Sequence, residues 1–171
     1  VLFRSGLGTP SAPVLRASLR EIRESLDEMV FSVDPRKDHL DSFLGYLAEM
    51  ARRLVDDSDL RLEIDLPESV PVVRMGPQLR HAVLLAARES IANALRHSRA
   101  RRLALRARWS PPVLELVVDD DGVGFDPSRV DPNRNGLANQ RRRLAGVGGE
   151  CHFESAPGEG TRTRFRVTVS A

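Results

Sequence analysis

Cysteine is nearly absent from this 171-residue chain, because Cys151 stands alone. A single cysteine excludes an internal disulfide framework and fits a reducing compartment. Apolar runs are short, and none approaches the roughly 20 residues that a membrane-spanning helix needs. No signal-peptide pattern is present either. We therefore expect a cytoplasmic protein whose only link to a membrane would be a missing upstream segment.

Lysine is rare as well, since Lys37 is the only lysine among 26 basic residues. The arginines form short clusters, as at residues 141–143, but 24 acidic residues leave a net charge of only +2. No aromatic residues interleave these clusters, as a nucleic-acid-binding surface would favour. Runs of one charge are more often solvated faces of helices and strands. We expect the arginines to have that role, and we predict no direct contact with nucleic acid.

Two common phosphate-binding motifs are also missing. The chain has no Gly-x-x-x-x-Gly-Lys run, and no Gly-x-Gly-x-x-Gly follows the first predicted strand. If phosphates bind to this chain, a different architecture holds them.

A heptad pattern is present near the start of the chain. Between Leu15 and Val33 apolar residues recur at alternating steps of four and three, which is typical of a helix packed in a bundle or coiled coil. Proline restricts the residue before it and lacks an amide donor, so Asp34-Pro35 ends this helix. The apolar seam consists of Leu19, Ile22, Leu26, Met29 and Val33.

The pattern of residues 36–171 predicts a single α+β domain. Helices are expected at 37–55, 76–97 and 136–146, and strands at 60–66, 101–109, 113–119, 150–155 and 161–169. Apolar and polar residues alternate along the last strand, which indicates a sheet buried on one face. The expected fold class is therefore a two-layer α/β sandwich, in which helices cover one face of a mixed, mostly antiparallel sheet. An N-terminal helical stub precedes it.

Three polar residues share one stripe of the second of these helices. Glu89, Asn93 and His97 follow one another at intervals of four residues. A solvated helix edge is the structural alternative. Asparagine has poor helix propensity in the middle of a helix, which favours a functional role for Asn93.

Glycine-containing turns make up the other motifs. Asp120 follows a predicted strand and precedes Gly122 and Gly124, and its carboxylate is suited to accept a hydrogen bond from an exocyclic amine such as that of adenine. The two glycines suit a backbone that passes close to a flat ligand, although an ordinary Asp-Gly turn is the alternative. Gly136 opens a helix whose free amides favour phosphate. Gly160 lies in a turn before the last strand, where a simple hairpin is the alternative.

The order of these motifs resembles the ATPase domain shared by histidine kinases, DNA gyrase, the heat-shock-90 chaperones and mismatch-repair ATPases. Residues 88–98 and 135–149 are most similar to histidine kinases that partner helix-turn-helix response regulators. Residues 27–35 resemble the end of the dimerisation region of those kinases. The resemblance spans about residues 15–169 and implies a Bergerat-type ATP-binding fold with ATP and Mg²⁺ as cofactors.

The resemblance also implies roles at the phosphate end of a nucleotide site. Asn93 would coordinate the Mg²⁺ that bridges the ATP phosphates, and Glu89 would orient or activate a group beside that metal. Arg96 and His97 would meet the phosphate charge. These are the expected catalytic and metal-binding residues.

At the base end, the resemblance implies that Asp120 fixes the adenine amine. Gly122 and Gly124 would let the backbone close over the nucleotide. Gly136 and Leu137 would place amides near phosphate, and Gly160 and Thr161 would complete the floor of the pocket.

The function implied is that of a sensor kinase fragment, which transfers the γ-phosphoryl group of ATP to a histidine for relay to a response regulator. We expect residues 1–12 to be a disordered or foreign segment, residues 13–35 to end a homodimerisation region, and residues 36–171 to be the ATPase domain. An anti-sigma-factor serine kinase and a non-catalytic nucleotide-binding dimer module are the alternatives.

The acceptor histidine of such a kinase has no counterpart in this sequence. Family members carry a histidine followed by an acidic residue upstream of the heptad seam, whereas His39 is followed by leucine and lies beyond the seam. His81 and His152 are expected to be structural residues in packed elements. We therefore expect that the chain alone does not phosphorylate itself.

Overall fold

The structure is a computed structural model that describes residues 19, 23, 26–31, 33–129 and 136–169. Residues 26–31 and 33 are helical, and we call them the upstream helix. This agrees with the heptad pattern for the described part of the seam. Ile22 and residues 1–12, for which we made predictions above, lie outside the described residues.

The domain follows the predicted order of helices and strands. Two short 3₁₀ turns accompany the main elements, at Pro35–Lys37 and Pro127–Arg129. The helices are α1 (Leu40–Val55), α2 (Pro77–Asn93) and α3 (Gly136–Ala145), and the strands are β1 (Arg61–Asp65), β2 (Arg102–Ser110), β3 (Val113–Asp120), β4 (Glu150–Ser155) and β5 (Thr161–Thr168).

The five strands form one sheet in the order β1-β2-β3-β5-β4. β1 pairs with β2 in parallel, and the other three pairings are antiparallel. The expected mixed, mostly antiparallel sheet is therefore confirmed. β3 lies at the centre, and its last residue, Asp120, is opposite Leu103 on one side and Thr161 on the other.

Strand alternation separates an apolar face of the sheet from a charged one. Leu105, Leu116 and Phe165 are almost fully buried in one core with residues of α1 and α2. Burying such a side chain contributes about 1.5–3 kcal/mol, so this face holds the two layers together. Three alanines of α2, Ala82, Ala86 and Ala87, are buried in the same layer of helices.

The opposite face of the sheet carries the arginines of the strands. Asp119 accepts hydrogen bonds from the Nε of Arg162 at 3.1 Å and from the guanidinium of Arg106 at 3.3 Å. Arg166 lies 3.7 Å from Glu115 in a further ion pair. These arginines form the solvated, charge-balanced strand face that the sequence predicted. Within the described residues, every helix is too short or too polar to cross a membrane.

Candidate functional site

A cavity of about 420 Å³ lies between the C-terminal end of α2, the ends of β3 and β5, the loop after β3 and the start of α3. That volume is within the range of small-molecule and cofactor sites. Seven of the predicted site residues line it. They are Asn93, His97, Asp120, Gly124, Gly136, Leu137 and Thr161.

Four other predicted residues lie behind the cavity wall or beside it. Gly122 and Gly160 are buried in the backbone packing around Asp120. The Glu89 carboxylate lies 3.8 Å from the guanidinium of Arg96, as a pair on the rim of α2. The stripe of α2 that faces the cavity is therefore turned slightly from the predicted one, because Ser90, Ala94 and Ser98 line the cavity and Glu89 does not.

Our sequence reasoning missed the apolar and hydroxyl residues of the wall. Val118, Val123 and Phe125 line the cavity, and so does Thr163, which is opposite Val118 in the register of β3 with β5. Apolar side chains around a few polar groups suit a flat, partly polar ring. The period of β3 indicates which residues face the helices, but only the pairing of β3 with β5 brings Thr163 beside them.

Asp120 is the buried carboxylate of this cavity. It is the last residue of β3, and its Oδ1 accepts a hydrogen bond from the amide of Gly122 at 2.9 Å. Burial raises the pKa of the Asp120 carboxyl, and the neighbouring charges of Asp119 and Asp121 raise it further. Hydrogen bonds from backbone amides oppose this shift without cancelling it.

Asp121 has a different environment, although it is the next residue. Its Oδ1 accepts hydrogen bonds from the amides of Arg101 and Arg102, both at 2.8 Å. These bonds lower the pKa of the exposed Asp121 carboxyl, and the bond from the Arg102 amide has the largest effect. Asp121 therefore ties the loop to the start of β2, while Asp120 presents its carboxylate to the cavity, as the glycine spacing predicted.

The glycines near Asp120 are required by close packing of backbone on backbone. Gly124 has φ +58°, and a Cβ there would collide with the carbonyl oxygen of Ala156. Gly160 has φ +74°, and its Cβ would collide with the carbonyl oxygen of Asp120. The two glycines thus let the loop after β3 and the turn between β4 and β5 pack closely against each other.

The end of α2 widens into a π-helical turn at Ala94–Ser98, which the sequence analysis did not predict. The Ser98 hydroxyl donates to the carbonyl of Ala94 at 2.7 Å, and the Ser98 carbonyl accepts from the amide of Val123 at 2.7 Å. Arg99 then leaves the helix with φ 53°. Such wide turns are frequent at functional sites, and this one joins α2 to the loop after β3.

The start of α3 packs against the rim of α2. A Cβ at Gly136 would lie 2.5 Å from the Glu89 carboxylate oxygen, so a larger residue would displace one of the two. Farther along α3, the buried Gln140 accepts a hydrogen bond from Ser90 at 3.0 Å. The first amides of α3, which lack partners within the helix, are thereby held beside Glu89 and Asn93.

The raised pKa of Asp120 has a consequence for stability. A carboxyl whose pKa is higher in the folded state contributes stability below its unfolded pKa, and that stability is lost as pH rises through the folded value. The ionised form of Asp120 therefore destabilises the folded domain. We predict that Asp120→Asn, which keeps an acceptor for the Gly122 amide, raises the melting temperature at pH 7, and that the gain shrinks as the pH approaches 4.

Asp121→Asn is the matched control, since the lowered pKa of Asp121 predicts a lower melting temperature at pH 7. Thermal unfolding of both variants between pH 4 and 8 tests the assignment. A loss of stability in Asp120→Asn at pH 7 would contradict it.

With this geometry established, comparison with known proteins identifies the family. A family model described as histidine kinase-, DNA gyrase B-, and HSP90-like ATPase matches residues 79–171. A sensor-like histidine kinase of Chloroflexus aurantiacus is 34% identical over 105 residues, which are 58% of this chain and 18% of that protein. The histidine-protein kinase/phosphatase DegS of Bacillus subtilis is 28% identical over 100 residues, which are 57% of this chain and 26% of that protein. The chain therefore spans less than a third of the length of either relative.

A solved structure shows the same fold over most of the chain. The histidine kinase domain of a blue-light activated histidine kinase from Erythrobacter litoralis superposes with a TM-score of 0.65 at 18% identity, and the match covers 94% of this chain and 87% of that one. The α+β sandwich expected from the sequence is thus confirmed as an ATP-binding fold of this type. The chain belongs to the family of histidine kinase-, DNA gyrase B- and HSP90-like ATPases.

Proposed function

We propose that this chain is the ATP-binding catalytic domain of a two-component sensor histidine kinase. It binds Mg-ATP and transfers the γ-phosphoryl group to a histidine on a dimerisation helix, from which a response regulator receives it. The observation that carries the proposal is that one cavity brings the buried Asp120 together with Asn93 and the first turn of α3. The cytoplasm, where ATP is available, is the compartment that the proposal implies.

Recognition of the base rests on Asp120 and the apolar wall. The adenine amine donates to the carboxylate of Asp120, a residue that is only 8% exposed to competing water. Val118, Val123 and Phe125 supply the apolar surface for the ring. Guanine has a keto oxygen in place of the amine. The ionised carboxylate has no hydrogen to donate to that oxygen, so the site favours adenine over guanine.

The metal end of the site rests on Asn93. Among the described residues there is no cluster of three or more His, Cys, Asp or Glu side chains that could hold a metal by themselves. Mg²⁺ is commonly bound by one or two protein oxygens together with substrate phosphates, and the Asn93 amide fits that role. Bound there, Mg²⁺ supplies neutralisation of phosphate charge. Glu89, one turn earlier on α2, orients or activates a group beside it.

The remaining phosphate contacts come from the π turn and from α3. Arg96 and His97 lie three and four residues after Asn93 and are exposed, so their side chains are accessible to phosphate charge. Gly136 and Leu137 supply amides at a helix N-terminus, where a negative charge is stabilised. Catalysis by these groups consists of positioning and charge neutralisation.

The histidines of the described residues do not match a phosphoryl acceptor. His39 precedes α1 and lies 3.5 Å from Asp38, and neither it nor any other described histidine is followed by an acidic residue. His152 lies in the packed strand β4, as expected, but its side chain is 60% exposed on the charged face of the sheet and lies 3.4 Å from Glu150. Strand alternation places Cys151 and Phe153 on the covered face and His152 on the other.

We predict that the isolated chain binds ATP without labelling itself, because no acceptor is held in line with the γ-phosphate. Adding a dimerisation bundle that carries a histidine followed by an acidic residue should produce labelling from radioactive ATP. The product should be acid-labile and base-stable, as a phosphoramidate is.

Each other result identifies a different function. An acid-stable phosphate on a partner serine would favour the anti-sigma-factor serine kinase. ATP binding without transfer to any bundle would favour the non-catalytic module. Strong labelling of the isolated chain would overturn this account of its histidines.

The upstream helix supports the proposal of a homodimer. Leu19, Leu26, Met29 and Val33 of the predicted seam are 61%, 55%, 58% and 66% exposed, and Val30 beside them is 63% exposed. Exposed apolar side chains of this kind are stabilised when another helix covers them, and the heptad spacing fits a second copy of the same helix. Dimerisation of the chain is therefore proposed to run through this seam.

We predict that Leu26→Glu shifts any dimer seen in sedimentation towards monomer, because a charge would enter the seam. Val72→Glu is the matched control, since Val72 is an apolar residue that is 87% exposed outside the seam. Equal sedimentation of both variants and the wild-type chain, or a strictly monomeric wild type at high concentration, would contradict dimerisation through the seam.

A further inference from the structure

The upstream helix has two unlike faces. Glu28 and Phe31, three residues apart and hence on one face, are only 4% and 6% exposed because they contact the domain. The apolar residues Leu26, Met29 and Val30 are turned away from it. Phe31 belongs to the apolar core, whereas burial of Leu26, Met29 and Val30 would favour the opposite rotation of the helix. The buried Glu28 adds a polar contact to the observed side.

That contact is a two-pronged ion pair between Glu28 and Arg88 of α2. The Arg88 Nε lies 3.1 Å from one carboxylate oxygen of Glu28, and a terminal guanidinium nitrogen donates to the other at 3.4 Å. The two side chains are 5% and 23% exposed. Paired donors from one guanidinium to one carboxylate restrict the angle as well as the distance between the groups.

Aromatic and backbone contacts surround the pair. Phe31 stacks on Tyr46 of α1 with ring centroids 3.8 Å apart. The buried Arg80 of α2 lies 6.0 Å from the Phe31 ring and donates to the carbonyl of Asp34 at 3.3 Å. The upstream helix is thus attached to both α1 and α2, and Arg88 pairs with its buried Glu28.

Arg88 is also next to the candidate catalytic residues. Consecutive residues on a helix point about 100° apart, so Arg88 faces the upstream helix while Glu89 faces the start of α3. Asn93 follows on the same helix. One rigid element therefore connects the orientation of the upstream helix with the phosphate end of the cavity.

We propose that Arg88 is a positioning residue, which acts through Glu28 to fix the rotation of the upstream helix so that its apolar seam faces away from the domain. A buried ion pair adds little net stability compared with apolar packing, but it strongly disfavours arrangements that separate its charges. It therefore specifies one orientation. The purpose of that orientation, to present the seam to a second copy, rests on the proposed function.

The test is hydrogen exchange of the peptide covering residues 26–34 in the whole 171-residue chain. Arg88→Met should accelerate exchange in this peptide by about tenfold or more. Without Arg88, the upstream helix can open locally without separating the ion pair with Glu28, so opening becomes more frequent. Exchange in β3 and β5 should stay unchanged. Reversing both charges, with Glu28→Arg and Arg88→Glu together, should restore protection that neither single reversal retains. Arg52→Met, at an exposed position of α1, is the control and should not alter the peptide.

Three results would overturn the proposal: unchanged exchange in Arg88→Met, no rescue by the double reversal, or faster exchange throughout β3 and β5. The last result would mean that Arg88 serves only general stability. Hydrogen exchange is measured without nucleotide, and ATP binding of the same variants is measured separately. Failure of ATP binding would contradict the proposed function and leave the positioning role intact.

Discussion

The cavity depends on a carboxylate that the fold keeps at the edge of its core. Asp120 ends the central strand, where the apolar face of the sheet and the ends of α2 and α3 leave it little contact with water. Burying an ionised group is unfavourable unless hydrogen bonds compensate it, and here backbone amides do so only in part. The surrounding glycines, the π turn and the Asp121 bonds all maintain this placement.

Burial of the Asp120 carboxylate lowers the stability of the free domain, and a bound ligand can remove this cost. A buried acceptor with remaining hydrogen-bonding capacity is stabilised by a ligand that brings a donor. A ligand that lacks the donor leaves the acceptor unsatisfied and therefore binds more weakly. Val118, Val123 and Phe125 add apolar surface to the same cavity. In the proposed function, recognition of the adenine amine and the lower stability of the free domain both come from burial of the Asp120 carboxylate.

Much of the fold could be predicted from the sequence because its signals are local. Strand alternation and helix periodicity predicted every main element, and the glycine spacing pointed to Asp120, which lines the cavity. What could not be predicted depends on contacts distant in sequence. Thr163 joins the cavity wall only through the register of β3 with β5. The π turn at Ala94–Ser98 has no local signature here, and its residues Ala94, His97 and Ser98 line the cavity.

The upstream helix illustrates the same limit. Its heptad pattern predicted an apolar seam, and the structure leaves that seam exposed. Nothing in the pattern indicated that Glu28 would be buried against Arg88, because a charged residue between heptad positions is normally solvated. The contact that the pattern could not predict at this junction is thus polar, whereas the predicted fold rests on apolar contacts.

The most direct test of the account is calorimetric titration of Mg-ATP into the wild-type chain, Asp120→Asn and Asp119→Asn. Loss of a buried hydrogen bond to the amine costs about 1–3 kcal/mol, which corresponds to roughly a ten- to hundredfold weaker affinity for Asp120→Asn. Asp119→Asn should bind like the wild type, because Asp119 faces Arg106 and Arg162 on the other side of the sheet. Equal affinities of the wild type and Asp120→Asn, or no binding by the wild type, would contradict the site.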